Sequence, residues 1–302
     1  MFPWSQKYPA QVSPEIDVNR YQNLPDLLEE TFQKFHNLEA FENMDHTLTF
    51  QEIDQLSQNF AAFLQQELDL NPGDRIALQM PNLLQYPIAL FGALRAGLVV
   101  VNTNPLYTPH EMRHQFKDSG AKAIVIAANF AKNLQEIIHE THIESVIVTE
   151  IGDMLPFPKR FIVNQVIKRV KKMVPPFSIP HAISFNEALE AGQEYPYDKP
   201  HIKPDDNAFL QYTGGTTGVS KGAVLTHRNI LANMLQIVEW MRPKLLEGKE
   251  VVITALPLYH IFSLTVNCLA IMNYGGKNIL VTNPRDIPSF IKLLRKKRFT
   301  LI

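Results

Sequence analysis

Between Arg75 and Thr149 short apolar runs alternate four times with segments of helical period, and few architectures accommodate that rhythm. Arg75 to Met80 reads as a strand, Leu83 to Arg95 as a helix and Leu98 to Val101 as a second strand. Thr108-Pro109-His110-Glu111 opens the next helix, with Thr as N-cap and Pro in the first turn. Ala123 to Ala127 is a strand, Phe130 to His139 a helix and Val146 to Thr149 a strand. Strands this short, separated by helices, pair in parallel through crossover connections. The predicted class is α/β, with layered, mostly parallel sheets flanked by helices. Upstream, Leu24 to Phe35 reads as a helix. Thr49-Phe50-Gln51-Glu52 is a capping box that opens a helix running to about Leu68, and Asn71-Pro72-Gly73-Asp74 is a turn.

Composition narrows the function. Of 302 residues 45% are apolar and 20% charged, which supports a sizeable core and excludes a disordered polyelectrolyte. Lys plus Arg is 29 against 30 Asp plus Glu, a net charge of −1, without the basic excess of a nucleic-acid binder. A single cysteine, Cys268, forms neither an internal disulfide nor a cysteine-cluster metal site and favours a reducing compartment. Met1 to Ala10 has no basic patch followed by an apolar run, which argues against a secretory signal and for a cytoplasmic location. Two stretches lack charge, Ile76 to Leu94 and Val251 to Gly276. Prolines and amides interrupt both, so each reads as a strand, a loop and a core helix rather than a membrane span.

Met154 to Asn186 breaks the pattern. It holds no acid but six cations from Lys159 to Lys172, followed by three prolines, Pro175, Pro176 and Pro180. Ile162, Val163, Val166, Ile167, Val170, Met173 and Val174 fall on one helical stripe, with the cations mainly opposite. A basic amphipathic helix over 159–174 suits an anionic membrane surface, and an ordinary surface helix is the alternative. Ser184-Phe185-Asn186-Glu187 is another capping box, and the Pro-rich stretch Tyr195 to Asp206 reads as a linker.

After a strand at Phe209 to Tyr212 comes YTGGTTGVSKGA, Tyr212 to Ala223. Four of the 13 glycines, Gly214, Gly215, Gly218 and Gly222, fall within nine residues. Thr213, Thr216, Thr217, Ser220 and Lys221 accompany them. Closely approaching backbone amides, hydroxyl donors and a cation are what a phosphate requires. The order is not that of a Walker A loop, because Ser220 precedes Lys221 and Gly222 follows it. Ala223 to Leu225 looks extended and Thr226 caps a helix over Asn229 to Trp240, so the loop is expected to join two strands. Downstream, Pro257 turns the chain after a strand at Val251 to Ile253 and brings Tyr259 and His260 to a strand end, where ligands of open α/β sheets collect.

The glycine-rich segment, with Leu225 to Asn229 (LTHRN), resembles the phosphate-binding signature of the adenylate-forming (AMP-binding) enzymes. Its double glycine is similar to that of bacterial long-chain fatty acid–CoA ligases. So are MPNLLQYPIALFGALRAG (Met80 to Gly97), VNTNPLYTPHE (Val101 to Glu111), TALPLYHIF (Thr254 to Phe262) and TNPRDIP (Thr282 to Pro288). The resemblance implies activation of a long-chain fatty acid by ATP to acyl-AMP, with Mg²⁺ on the phosphates, then transfer to coenzyme A. It assigns Thr213, Gly214, Gly215, Thr216, Thr217, Gly218 and Lys221 to the nucleotide. It assigns Tyr259, His260 and Phe262 to the substrate, with His260 as the catalytic imidazole beside the acyl carboxylate. Some long-chain relatives carry a bulky aromatic gate four residues after this His; Leu264 stands there, and Phe262 is the substitute.

The family's adenine-contacting segment, Thr-Glu pair, ribose-binding Asp and small C-terminal domain are not found. The expectation is the N-terminal portion of the AMP-binding domain, inactive or nearly so alone. Its approximate parts are 1–74, a first α/β subdomain over 75–200, and the phosphate loop with the start of a second over 201–302. Peripheral contact with the inner face of the cell membrane and a homodimer of the full-length protein are further expectations. The competing readings are a ligase for an aryl or short-chain acid, and a non-catalytic fragment that binds a membrane or a partner.

Overall fold

A computed structural model describes residues 3–213 and 220–302. The chain opens through α1 (Leu24–Phe35), a hairpin of β1 (Glu39–Asn43) and β2 (His46–Thr49), and α2 (Phe50–Gln66). Met44 and Asp45, the hairpin's two turn residues, both take positive φ, as a type I′ turn requires. The alternating region follows as β3 (Arg75–Gln79), α3 (Gln85–Arg95), β4 (Val99–Asn102), α4 (Pro109–Ser119), β5 (Ala123–Ala127), α5 (Ala131–Ile137) and β6 (Ser145–Thr149). Then come α6 (Lys159–Gln165), β7 (Ile183–Ser184), α7 (Phe185–Gly192), β8 (Asn207–Thr213), β9 (Lys221–Thr226) and α8 (His227–Met241). The last elements are β10 (Val251–Thr254), α9 (Ile261–Ser263), β11 (Lys277–Leu280) and α10 (Ile287–Lys296).

Side-chain caps set several boundaries. Thr49 accepts from the Glu52 amide at 3.2 Å while its own N–H donates to the Glu52 carboxylate at 2.7 Å. Thr108 with Glu111 and Ser184 with Glu187 repeat the exchange, and Thr226 with Asn229 supplies it at α8. The helix expected over Phe130 to His139 is instead α5 with a tight 3₁₀ turn at each end, Ala128–Phe130 and Ile138–Glu140.

Seven strands form one sheet in the order β7-β6-β5-β3-β4-β8-β9, all parallel except β9, which returns antiparallel to β8. A second sheet runs β10-β11-β1-β2, with only β2 antiparallel. Successive residues alternate between two cores, as a sheet covered on both faces demands. Ile76 and Leu78 enter the large core between the sheets, whereas Ala77 meets Met112 and Phe116 of α4 and Leu134 of α5. The outer face of the smaller sheet, Ile253 and Ile279, packs on Phe290, Leu293 and Leu294 of α10. The layers are therefore helix, sheet, helix, sheet, helix. Beyond α9 a π-helix, Leu264–Ile271, is buried in the large core, so the uncharged stretch near Cys268 is interior. Among the described residues no helix is long and apolar enough to cross a membrane.

The basic segment differs from its expected form. The regular helix ends at Gln165, continues as a π-turn over Val166–Val170, and stops where Lys172 takes a positive φ. Its inward anchor is polar: Asn164 accepts from the Gly152 amide at 2.7 Å and donates to Asp153 at 3.0 Å. Val163, Ile167 and Val174 of the predicted stripe are half-buried, while Ile162, Val166, Val170 and Met173 face solvent beside Phe157 and Phe161. The linker, too, is more than a tether: Ile202 is buried and the Tyr197 hydroxyl donates to the Arg95 carbonyl at 3.1 Å.

His227 joins the N-termini of α8 and α1, accepting at Nδ1 from the Leu24 amide at 3.2 Å. It is 1% exposed, and burial pushes its pKa down to about 4. Above pH 6.5 the ring is neutral folded and unfolded and contributes no pH dependence. Between pH 6.5 and 4 the unfolded chain binds a proton that the folded chain refuses, so stability falls as pH falls. We expect a loss of about 3 kcal/mol across that window from this group. Urea unfolding of the chain and of His227→Gln at stepped pH checks it, the variant giving the shallower slope. At Gly192 of α7, an added Cβ would stand 1.9 Å from the Asn59 carbonyl oxygen of α2. Gly192→Ala is expected to cost at least about 1–3 kcal/mol by overpacking, read from the same unfolding curves.

Candidate functional site

The carboxyl ends of β4 and β8 lie side by side, since Asn102 and Gln211 share a register position. There β8 turns back as β9, pairing Tyr212 with Gly222 and Thr213 with Lys221. The expected strand–loop–strand arrangement is therefore present, with Thr213 and Lys221 opposite one another and both exposed at its mouth. Gly214, Gly215, Thr216, Thr217 and Gly218 lie outside the described residues.

The hairpin is fixed from one side by α4. The Tyr212 hydroxyl donates to Asp118 at 2.6 Å, and burial together with that carboxylate raises the phenol pKa well above its usual range. His114 Nε2 is 2.8 Å from the Ser220 carbonyl oxygen, a contact that requires the proton on Nε2, and its ring meets Tyr212 edge-on. Gly222 is needed for close approach: a Cβ there would come within 3.0 Å of the Tyr212 ring. Thus one phenol and one imidazole hold the strands on either side of the glycine-rich stretch.

The second motif leaves β10 at Thr254 and turns through Pro257, whose carbonyl accepts from the His260 amide at 3.0 Å. His260 is exposed and caps α9, its Nδ1 accepting from the Phe262 amide at 3.3 Å. That bond leaves Nε2 to carry the proton of the neutral ring, ready to donate to an oxyanion. Tyr259 is half-buried, with its pKa raised by burial. Phe262 is exposed beside the imidazole, whereas Leu264 is turned fully into the core. The two motifs meet through Gln211, whose Nε2 donates to the Tyr259 carbonyl at 3.1 Å. Gln211 lies two residues before Thr213, and Tyr259 is adjacent to His260.

Sequence reasoning passed over the buried amides here, Asn82, Asn102, Gln115 and Gln211. The available signal was a carboxamide inside an otherwise apolar strand, as in Val99–Asn102. Cys268 is fully buried and its thiol pKa is pushed well up, which makes it inert. Among the described residues no three His, Cys, Asp or Glu side chains converge on a metal position.

The profile of the AMP-binding enzyme family matches residues 28–302. The chain is 54% identical to a long-chain-fatty-acid–CoA ligase of Escherichia coli, over 99% of this chain and 53% of that protein. It is 49% identical to the ligase of the same description from Haemophilus influenzae, over 99% and 54%. It thus spans about half the length of the curated relatives it matches. In three dimensions it is similar to a long-chain-fatty-acid–CoA ligase structure from Archaeoglobus fulgidus, with a TM-score of 0.72 over 96% of this chain and 57% of that one; at 20% identity this likeness speaks for the fold alone.

Gly222→Val is expected to displace the Tyr212 ring from Asp118 and to cost about 1–3 kcal/mol. Urea unfolding measures the cost, and loss of the raised phenol pKa in an ultraviolet titration reports the displaced ring.

Proposed function

Because the chain belongs to the AMP-binding enzyme family, we propose that it supplies the phosphate loop and the carboxylate-facing wall of an ATP-dependent long-chain fatty acid–CoA ligase. The observation that carries this reading is the joining of the Thr213–Lys221 hairpin to the His260 loop through Gln211. In the proposed reaction a fatty carboxylate oxygen attacks the α-phosphorus of ATP and pyrophosphate leaves. The thiolate of coenzyme A then attacks the acyl carbon and AMP leaves.

A carboxylate approaching a polyphosphate meets charge repulsion, so donors aimed at the developing negative charge carry much of the catalysis. Lys221, with Thr213 and the loop from Gly214 to Gly218, is assigned the β- and γ-phosphates. The Nε2–H of His260 is assigned an oxygen of the carboxylate or α-phosphate. Mg²⁺ is assigned to the ATP phosphates with which it arrives, where it would offset their charge. Long-chain acids are favoured over shorter ones because each methylene buried contributes about 0.8 kcal/mol.

The segment around α6 adds a peripheral membrane contact to this proposal. Phe157 is 85% exposed and Val170 73%, with Phe161, Ile162 and Met173 more than half exposed beside Arg160, Lys168, Arg169, Lys171 and Lys172. Apolar side chains ringed by cations suit an anionic lipid face, where an enzyme for a lipid-soluble acid meets its substrate. On this reading the protein works in the cytoplasm, at the inner face of the cell membrane.

Oleate-dependent ATP–pyrophosphate exchange is expected from the chain extended to the length of its relatives, and little or none from the 302 residues alone. Lys221→Ala is expected to lower the rate about 100-fold. Exchange with octanoate or benzoate but not oleate would reassign the substrate, and silence with all three would remove the catalytic reading. Reversing Lys168, Arg169, Lys171 and Lys172 to Glu is expected to weaken co-sedimentation with phosphatidylglycerol vesicles at least about tenfold, since each cation contributes about 1 kcal/mol at such a surface.

A further inference from the structure

The loop that carries His260 is held by buried side-chain amides rather than by strand pairing. Asn82, just beyond β3, contributes three hydrogen bonds. Its Nδ2 donates to the carbonyls of Thr254 at 3.0 Å and Leu256 at 2.9 Å, and its Oδ1 accepts from the Leu258 amide at 2.8 Å. Tyr86, fully buried in the first turn of α3, places one hydroxyl 2.9 Å from the Leu258 carbonyl and 2.7 Å from Asn102 Oδ1. Asn102, the last residue of β4, donates to Gln211 Oε1 at 3.2 Å, and Gln211 donates onward to the Tyr259 carbonyl. Each of these side chains is at most 7% exposed.

Part of this arrangement follows from burial alone. Beyond Thr254 the chain leaves the sheet, and its peptide groups need partners wherever water is excluded. Burial alone does not explain the path of the chain of bonds. It runs from the Leu258 and Tyr259 carbonyls, through Tyr86 and Asn102, to a residue of β8 two positions before Thr213. Gln211 faces both motifs at once: its Oε1 is held by β4 and its Nε2 holds the His260 loop. A slack loop would let the imidazole drift, and an error of about 1 Å at a reacting group is costly.

We propose that Asn82, Tyr86, Asn102 and Gln211 are positioning residues that set the His260 imidazole against the Thr213–Lys221 hairpin. This rests on the reading of those two motifs as halves of one site. None of the four is assigned a contact with substrate. Their action is on the Leu258–His260 backbone, and through the Phe262 N–H to Nδ1 bond on which ring nitrogen carries the proton.

The test uses the ¹⁵N-labelled chain, with Gln211→Met and Tyr86→Phe as separate variants. Tyr86→Phe removes a single oxygen and keeps the packing, so it remains informative if Gln211→Met fails to fold. The wild-type His260 is expected to show ring-nitrogen shifts dominated by the Nε2–H form. In either variant amide exchange at Leu258 and His260 is expected to rise about tenfold, with the ring shifts moving toward an even mixture of tautomers and exchange at Val125 in β5 unchanged. Unchanged exchange and unchanged ring shifts in both variants overturn the proposal. In the chain extended to the length of its relatives, Gln211→Met is expected to lower kcat for pyrophosphate exchange about tenfold with KM for ATP within about twofold. A fall in ATP affinity instead, at unchanged kcat, would overturn it there. If the extended wild-type protein activates no acid, the ligase reading fails, and the NMR result still decides whether these residues position His260.

Discussion

Helix α3 is buried on every side, and much of the structure follows from that constraint. All of its residues, Gln85 to Arg95, are inaccessible to solvent, because it lies between the seven-stranded and four-stranded sheets. A helix so enclosed cannot shed its polar side chains into water, so each must find a partner inside. Gln85 donates to Thr149 and to the Glu150 carbonyl beyond β6. Tyr86 reaches Asn102 and the loop after β10. Arg95 pairs with Asp54 of α2 and lies over the rings of Phe32 and Tyr197. These contacts tie α1, α2, the linker, both sheets and the His260 loop to one rod. The base of the His260 loop is thereby anchored in the core.

Where information was local, it was legible in the sequence. The capping boxes at Thr49, Thr108 and Ser184 fell where they were expected because each is closed within four residues. The strand–loop–strand form of the glycine-rich segment followed from Lys221 and Gly222 standing where a helix start would be required for a P-loop. The four-stranded sheet was not legible, since it pairs Phe41 with Asn278, and no local pattern encodes a parallel partner so distant. The amides that organise the candidate site were hidden for a different reason. Asn102 and Gln211 interrupt apolar strands, where a polar residue reads as a flaw in the pattern until its partner, contributed by another strand or loop, is seen.

The segment around α6 shows how a polar residue can set the docking of an amphipathic stretch. The apolar stripe and the cations are both present, yet the residue that docks the helix is Asn164, which satisfies the Gly152 amide and the Asp153 carboxylate. A buried Asn with partners for both its oxygen and its nitrogen occupies the inward position, which spares the Gly152 amide the cost of being buried unpaired. Lys159 adds a second tether to the Met44 carbonyl at the β1–β2 turn. Phe157, Phe161 and Val170 are consequently held outward by a rigid base.

The hairpin and the His260 loop take their geometry from elements outside the glycine-rich sequence. The strands that flank it are each fixed by side-chain contacts. At one end Tyr212 is clamped by Asp118 and by the close approach of Gly222. At the other, Ser220 is bound through its carbonyl to His114. Both clamps belong to α4, which packs on the outer face of the sheet, whereas Gln211 anchors the opposite motif from within the sheet. The geometry at the mouth therefore depends on three layers staying in register. Its determinants are spread over several elements, and a change in the packing of α4 would reach Lys221 through the Asp118 and His114 contacts.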